Sequence, residues 1–93
     1  MTTKIYNLSI AKQTAEYLLN IEAIKLNVAN PFQWASGWNS PIYCDNRLSL
    51  SFPAVRKFIT ESLVEAIKGN FPNVEAIAGV ATAGIPQGAL IAA

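Results

Sequence analysis

The chain has 93 residues, of which 52% are hydrophobic and only 14% are charged, whereas about 25% are charged in an ordinary soluble domain. Its net charge is +1 and its seven basic residues are dispersed, which predicts binding to neither nucleic acid nor a membrane surface. No apolar stretch has the length of a signal peptide or a membrane span, and the single cysteine fits a reducing compartment, so we expect a cytoplasmic protein without an internal disulfide. With no histidine and one cysteine, we also expect no zinc site and no Ser-His or Cys-His catalytic pair in this chain.

Apolar spacing predicts a first helix over residues 9–22, because Ile10, Thr14, Leu18 and Ile21 fall on one face. The chain then changes character, with turn signals at Asn30-Pro31 and Ser36-Gly37. On either side of "SGWNS", the stretches "FQWAS" and "PIYCD" are rich in aromatic and β-branched residues. This pattern predicts two short strands that pair as a hairpin across "SGWNS".

A second helix is predicted over residues 52–68. Pro53 suits its first turn, Ser51 is a candidate cap, and Gly69 is a suitable residue just after its end. The run from Val74 to Val80 is apolar except for Glu75, as expected of a strand buried on both faces of a parallel sheet. Together with a helix beginning near residue 86, these elements predict the opening of an α/β crossover fold.

A glycine-containing turn joins that strand to the last helix in "AGVATAGIPQGA". The glycines at 79, 84 and 88 match neither the Walker phosphate loop nor the dinucleotide fingerprint. A strand that feeds a helix through such a turn leaves backbone N–H groups pointing at one spot, which favours an anion. One interpretation is therefore a phosphate cradle formed by Ala81 to Gly84 and the Thr82 hydroxyl. The other is that the glycines only allow close packing of strand and helix.

Two stretches at their mutual spacing, "NPFQWASGWNSPIYCDNRLSLSFPAVRKF" and "EAIAGVATAGIPQGALIA", resemble the N-terminal part of bacterial orotate phosphoribosyltransferases. The resemblance implies an α/β type I phosphoribosyltransferase fold, with a hood of helix and strands over residues 1–50 and the first strand and helices of the core over residues 51–93. It also implies transfer of ribose 5-phosphate from phosphoribosyl pyrophosphate to orotate in pyrimidine synthesis, dependence on Mg²⁺, and a homodimer.

The resemblance also assigns site residues. Ala81, Thr82, Ala83 and Gly84 correspond to the loop that contacts the pyrophosphate of the donor. Tyr43 corresponds to a position on the hood wall near the orotate ring, where it would stack on the pyrimidine or serve as a packed hood residue. No catalytic or metal-binding residue of the family falls in this segment.

The chain departs from the family pattern at several positions. Ala35 stands where some members have lysine, and Thr82-Ala83 where some have Tyr-Lys; we interpret both as marks of a different branch. Asn39 stands where relatives usually have a basic residue, which leaves its role open.

The family's chains also continue into a mobile basic loop and an acidic pair followed by a Thr-Gly run, and these motifs do not occur here. We therefore expect an N-terminal fragment of a longer protein that is inactive by itself. Two alternatives stay open. One is a non-catalytic protein that keeps the fold for binding or regulation, and the other is a short interaction fragment that docks on a partner.

Several further residues have two interpretations. Trp34 and Trp38 fit a subunit interface or lid, but we expect packing against the first helix. Asp45, Asn46 and Arg47 fit either ligand contacts or a turn in which an Asp side chain bonds the backbone before a solvated arginine.

The remaining polar residues are assigned structural roles. Lys25 is interpreted as a solvated edge lysine rather than a phosphate ligand. Cys44 is interpreted as a small packed residue rather than a reactive thiol. Arg56, Lys57 and Lys68 are expected on the outer face of the second helix.

Overall fold

The structure, a computed structural model, describes residues 4–93. The first three residues of the predicted hood lie outside that range. In chain order the elements are α1 (Leu8–Asn20), β1 (Ile24–Leu26), β2 (Phe32–Gln33), β3 (Asn39–Ser40), β4 (Ile42–Cys44), a 3₁₀ helix (Asn46–Ser51), α2 (Pro53–Asn70) and α3 (Gly84–Ala92). The predicted boundary between residues 50 and 51 falls inside the 3₁₀ helix, and the two-part division stays a prediction.

Helix α1 confirms the first predicted helix with shifted ends. It begins where the Asn7 side chain accepts a hydrogen bond from the Ile10 N–H at 3.1 Å, as an N-cap does. It ends early because Glu22 adopts a positive φ of 61°. The N–H groups of Glu22 and Ala23 then donate to the carbonyls of Leu19 and Leu18 at 3.1 and 2.9 Å, which is a Schellman motif.

The strands are found where aromatic and β-branched residues predict them, and a hairpin does cross Ser36-Gly37, but its second strand is Asn39–Ser40 and not the predicted "PIYCD". In the antiparallel pair β2–β3, Phe32 lies opposite Ser40, whereas β4 pairs antiparallel with β1 and Tyr43 lies opposite Lys25. Pro41 separates β3 from β4, and without an N–H it cannot continue the ladder. Its carbonyl instead accepts from the Asn27 N–H at 2.7 Å, which directs the chain towards β1.

Helix α2 confirms the second predicted helix and the place of Pro53 in its first turn, although both predicted cap residues are wrong. Its N-cap residue is Phe52, without a side-chain hydrogen bond, because Ser51 belongs to the 3₁₀ helix. Gly69 lies inside the helix, whose C-cap is Phe71. The Arg56 guanidinium donates to the Leu50 carbonyl at 2.8 Å, so this arginine ties α2 to the 3₁₀ helix rather than lying on the outer face.

Residues 74–80 are not the buried strand that their composition predicts. They form no ladder with any described strand, and Val80 is 82% exposed. A strand needs a neighbouring strand to pair with; no described strand pairs with this segment, whose close neighbour is α3. Helix α3 then starts at Gly84, two residues before the predicted start, and Gln87 donates a 3.1 Å hydrogen bond to the Thr60 hydroxyl of α2.

The interior formed by residues 4–93 is small. Ala23 and Val55 are its fully buried apolar residues, while Val28 and Val80 are more than four-fifths exposed. Much of the apolar content of this sequence therefore faces outward in the described part of the chain. None of the described helices is long and apolar enough to cross a membrane.

Candidate ligand cavity

A cavity of about 530 Å³ lies where α1, the 3₁₀ helix, α2 and α3 face one another. Its lining includes side chains from each of these elements and from β4, among them Leu18, Tyr43, Asp45, Arg47, Ala83 and Gln87. Residues 43 and 83 are far apart in sequence. The fold thus brings one residue of the predicted hood wall and one of the predicted pyrophosphate loop to the same space.

Tyr43 has one packed side and one accessible side. Its ring centroid lies 5.9 Å from that of Phe32 at an interplanar angle of 40°, a tilted arrangement that is favourable between aromatic rings. The residue is nevertheless 37% exposed and lines the cavity. The geometry therefore accommodates both packing and ring stacking, and contact with a pyrimidine stays a prediction.

The turn from Ala81 to Gly84 is accessible over its first three residues. The Gly84 N–H donates to the Val80 carbonyl at 2.8 Å, so it is engaged within the chain. Among the backbone hydrogen bonds of the described residues, none has the N–H of Ala81, Thr82 or Ala83 as its donor. The N–H groups left for an anion are those of residues 81–83, and the peptide bond between Ala81 and Thr82 is cis.

The glycines around this turn have a packing role. A Cβ on Gly79 would lie 2.5 Å from the carbonyl oxygen of Gly84, and a Cβ on Gly88 would lie 3.1 Å from the Cα of Gly79. Both distances are too short for ordinary contacts, so α3 approaches residues 78–80 only because these positions lack side chains. A packing role for these glycines is therefore supported, although residues 78–80 form no strand, and the cradle remains a prediction.

Asp45 and Arg47 form a bidentate ion pair at the cavity wall. The Arg47 Nε and Nη2 atoms donate to the two carboxylate oxygens of Asp45 at 2.8 and 2.9 Å. The Arg47 backbone N–H also donates to Asp45 Oδ1 at 3.1 Å, which caps the 3₁₀ helix. The side-chain hydrogen bond from Arg47 is the main cause that lowers the pKa of Asp45 below its ordinary value of 3.8, and the same bond raises the pKa of Arg47.

Of the other sequence-based interpretations, one agrees with the structure and others do not. Lys25 is exposed, as predicted for a solvated edge lysine. Cys44 is also exposed, and its thiol donates to the Asn46 side-chain oxygen at 3.1 Å. The prediction of a packed cysteine is therefore wrong, because the side of β4 that carries Cys44 lines the open cavity. Trp34 donates its indole N–H to the Ile42 carbonyl at 3.0 Å, whereas Trp38 is 70% exposed and does not pack against α1 as predicted.

The described residues offer few ligands for a metal ion. Across residues 4–93, no three His, Cys, Asp or Glu side chains form a group that could hold one. The carboxylate at the cavity, that of Asp45, is already bonded to Arg47. These side chains therefore do not form a magnesium site by themselves.

The relatives that this chain matches in sequence are orotate phosphoribosyltransferases. The chain is 60% identical over 85 residues to the orotate phosphoribosyltransferase of Cytophaga hutchinsonii, and the match covers 91% of this chain and 41% of that protein. It is 60% identical over 84 residues to the orotate phosphoribosyltransferase of Listeria innocua, covering 90% and 40%. The chain thus spans about two-fifths of the length of these relatives, and no family model matches it.

A solved structure has the same fold. The orotate phosphoribosyltransferase from Aeropyrum pernix superposes with a TM-score of 0.69 at 28% identity, over 85% of this chain and 46% of that one. This likeness confirms the predicted α/β fold, as part of a type I phosphoribosyltransferase fold. With the curated relatives, it also confirms the resemblance that the hood and turn motifs indicate.

Proposed function

We propose, from the homology of this chain to part of orotate phosphoribosyltransferases, that it supplies the acceptor-binding wall and the diphosphate turn of such an enzyme. The reaction transfers ribose 5-phosphate from phosphoribosyl pyrophosphate to orotate and releases orotidine 5′-monophosphate and pyrophosphate. The observation that carries the proposal is the shared cavity. Tyr43 and Ala83, assigned separately to acceptor and donor, line the same space.

The reaction needs residues that position the two substrates, and it needs no nucleophilic side chain. The bond from ribose C1 to a pyrophosphate oxygen breaks as C1 bonds a ring nitrogen of orotate, through a transition state resembling an oxocarbenium ion, and the proton of that ring nitrogen is taken up by the departing pyrophosphate. Negative charge grows on the departing diphosphate, which preorganised N–H donors stabilise. The N–H groups of residues 81–83 are suited to this role, and the Tyr43 ring would hold the acceptor plane beside C1.

The cofactor and the assembly are part of the proposal. Mg²⁺ is typically bound through one or two carboxylates together with substrate phosphates. Since the described side chains form no such site, the diphosphate would carry most of the ion's coordination, and bound Mg²⁺ would offset its charge. A homodimer acting in the cytoplasm, without nucleic acid or membrane partners, completes the proposal.

The test is a hybrid protein. This chain replaces the matching 85 residues of the Cytophaga hutchinsonii relative, and the rest of that protein is unchanged; we call this protein the hybrid. We expect it to release pyrophosphate only when both orotate and phosphoribosyl pyrophosphate are present, and we expect the 93-residue chain alone to release none. A folded hybrid that binds ligand but does not turn over would favour the non-catalytic alternative.

A charge variant tests the diphosphate turn within the hybrid. Ala83→Glu places a carboxylate where the diphosphate is proposed to lie, and like charges brought together weaken binding strongly. We expect KM for phosphoribosyl pyrophosphate to rise about tenfold or more. Ala54→Glu, at an exposed position of α2, is the matched control and should leave that KM unchanged.

A further inference from the structure

We propose that the hydrogen bond from Gln87 to Thr60 sets the position of the turn at residues 81–83, and that these two side chains are therefore positioning residues for the donor substrate. That the turn meets a diphosphate rests on the proposed function. That Gln87 and Thr60 fix the turn rests on the contacts that α3 makes with α2 and with residues 78–80.

Gln87 lies one helical turn after the residues that it would position. It follows Ala83, the N-cap residue of α3, by four positions, and residues with this spacing are neighbours on a helix surface. Both residues line the cavity. The Ile85 N–H donates to the Thr82 carbonyl at 3.3 Å, so the turn is bonded to the beginning of α3. A shift of α3 against α2 would therefore carry residues 81–83 with it.

The contact between α3 and α2 has a single polar link in the described chain. Gln87 is the one polar side chain of α3, and its Nε2 donates to the Thr60 hydroxyl at 3.1 Å in a half-buried position. No other side-chain hydrogen bond or ion pair within residues 4–93 joins these two helices. Apolar contacts are non-directional, whereas a hydrogen bond weakens steeply when its angle departs from linear. The bond therefore selects one register of α3 on α2.

The contact of α3 with residues 78–80 has no comparable link. A Cβ on Gly88 would lie 3.1 Å from the Cα of Gly79, so this contact limits how closely α3 can approach. Residues 75–80 pair with no described strand and donate no backbone hydrogen bond within the described chain. Among the described elements, α2 is therefore the one that fixes where α3 lies along that contact.

Thr60 acts on the cavity through Gln87. It belongs to α2 and is not among the described residues that line the cavity, so a change at Thr60 removes no direct contact with a ligand there. Preorganised donors are effective because they are already aimed at the charge that they stabilise. A binding-competent arrangement that is only partly populated lowers the apparent affinity in proportion. We therefore expect loss of the bond to appear as weaker binding of the donor substrate.

The test uses the hybrid and compares two changes at Thr60. Thr60→Val removes the hydroxyl and keeps the branched shape, and it should raise KM for phosphoribosyl pyrophosphate at least about threefold, the order expected for one hydrogen bond. KM for orotate and kcat should stay unchanged. Thr60→Ser keeps the hydroxyl and should restore the KM of the unaltered hybrid. A purely structural role would lower the amount of folded enzyme, and so the apparent kcat, without changing KM.

A double-mutant cycle tests whether the two side chains act through one bond. Gln87→Met keeps the length of the side chain, removes the amide and should also raise KM for phosphoribosyl pyrophosphate. Adding Thr60→Val to it should give no further rise, because the bond is already lost. Gln33→Met, at an exposed position of β2, is the matched control and should leave that KM unchanged. Rises that multiply in the double variant would overturn the inference.

Calorimetric titration of the hybrid with phosphoribosyl pyrophosphate and Mg²⁺ separates this inference from the proposed function. The affinity should fall at least about threefold in Thr60→Val and stay unchanged in Thr60→Ser. An active hybrid in which Thr60→Val changes neither KM nor affinity for the donor overturns the inference alone. A hybrid that shows this loss of affinity but releases no pyrophosphate overturns the proposed function alone. A hybrid that does not bind the donor overturns both.

Discussion

Glu22 adopts a left-handed backbone conformation that glycine usually occupies. It occupies the left-handed C′ position of a Schellman motif with φ of 61°, where glycine is the usual residue because it lacks a Cβ. We expect Glu22→Gly to raise the free energy of unfolding by about 0.5–1 kcal/mol, measured by denaturant titration. The same change at Glu65, inside α2, should lower it by about 1 kcal/mol, and equal signs for both variants would contradict this explanation.

Asp45 links the local structure to pH. Its pKa is lowered in the folded chain, chiefly by the hydrogen bond from Arg47, so its ionised form favours the folded state. The stabilisation is complete above the ordinary pKa of 3.8 and is lost as pH falls through the lower folded value. We expect the unaltered chain and Asp45→Asn to differ in unfolding free energy near neutral pH and to converge once pH has fallen below the lowered pKa of Asp45 in the folded chain. A constant difference down to strongly acid pH would show that the ion pair contributes nothing.

The segment 75–80 is the element in which sequence and structure differ most. Its N–H groups donate to no backbone oxygen within the described chain, although its composition is that of a buried strand. Amides without hydrogen bonds exchange readily with solvent. We therefore expect residues 75–80 to exchange hydrogen nearly unprotected, while amides in the middle of α2 are protected. Protection of 75–80 that grows with protein concentration would mean instead that copies of the chain pair through this segment.

Sequence reasoning succeeds for elements that are determined by local pattern. The apolar stripe of α1 and the Pro53 start of α2 depend on neighbours in sequence, and both helices are found. A hairpin across Ser36-Gly37 is found, but "PIYCD" is not its second strand, because β4 pairs with β1. That strand lies far upstream, and residue spacing carries no information on such pairing. Gly69 fails as a stop signal because α2 continues to Asn70, so its end is not determined by glycine.

The candidate site was partly predictable. Tyr43 and Ala83 could be assigned from the resemblance, but only the fold shows that they line one cavity. The sequence predicted an Asp-to-backbone bond at Asp45, which the structure confirms. It did not predict the bidentate ion pair of Asp45 with Arg47, because that contact depends on the turn that the 3₁₀ helix imposes. An Asp-x-Arg spacing before a short helical turn is the sequence signal that could have found this ion pair.

The molecule as a whole has more apolar surface than the described chain buries. Ala23 and Val55 form a very small interior, and residues 75–80 are exposed except for Ile77, which is half-buried. In the proposed enzyme these surfaces would be covered by the part of the relatives that this chain does not match. The cavity, by contrast, is lined by residues of the described elements, so the hybrid, in which those other surfaces are covered, is the protein on which ligand recognition and catalysis are tested.

We propose that one cavity holds the acceptor ring at Tyr43 and the diphosphate at residues 81–83. A crystal structure of the hybrid with orotidine 5′-monophosphate and pyrophosphate would show whether both ligands bind there. We predict the pyrimidine ring against Tyr43 and pyrophosphate oxygens within hydrogen-bond distance of the N–H groups of residues 81–83. A pyrimidine bound away from Tyr43, or a diphosphate that does not touch the turn, would contradict the claim.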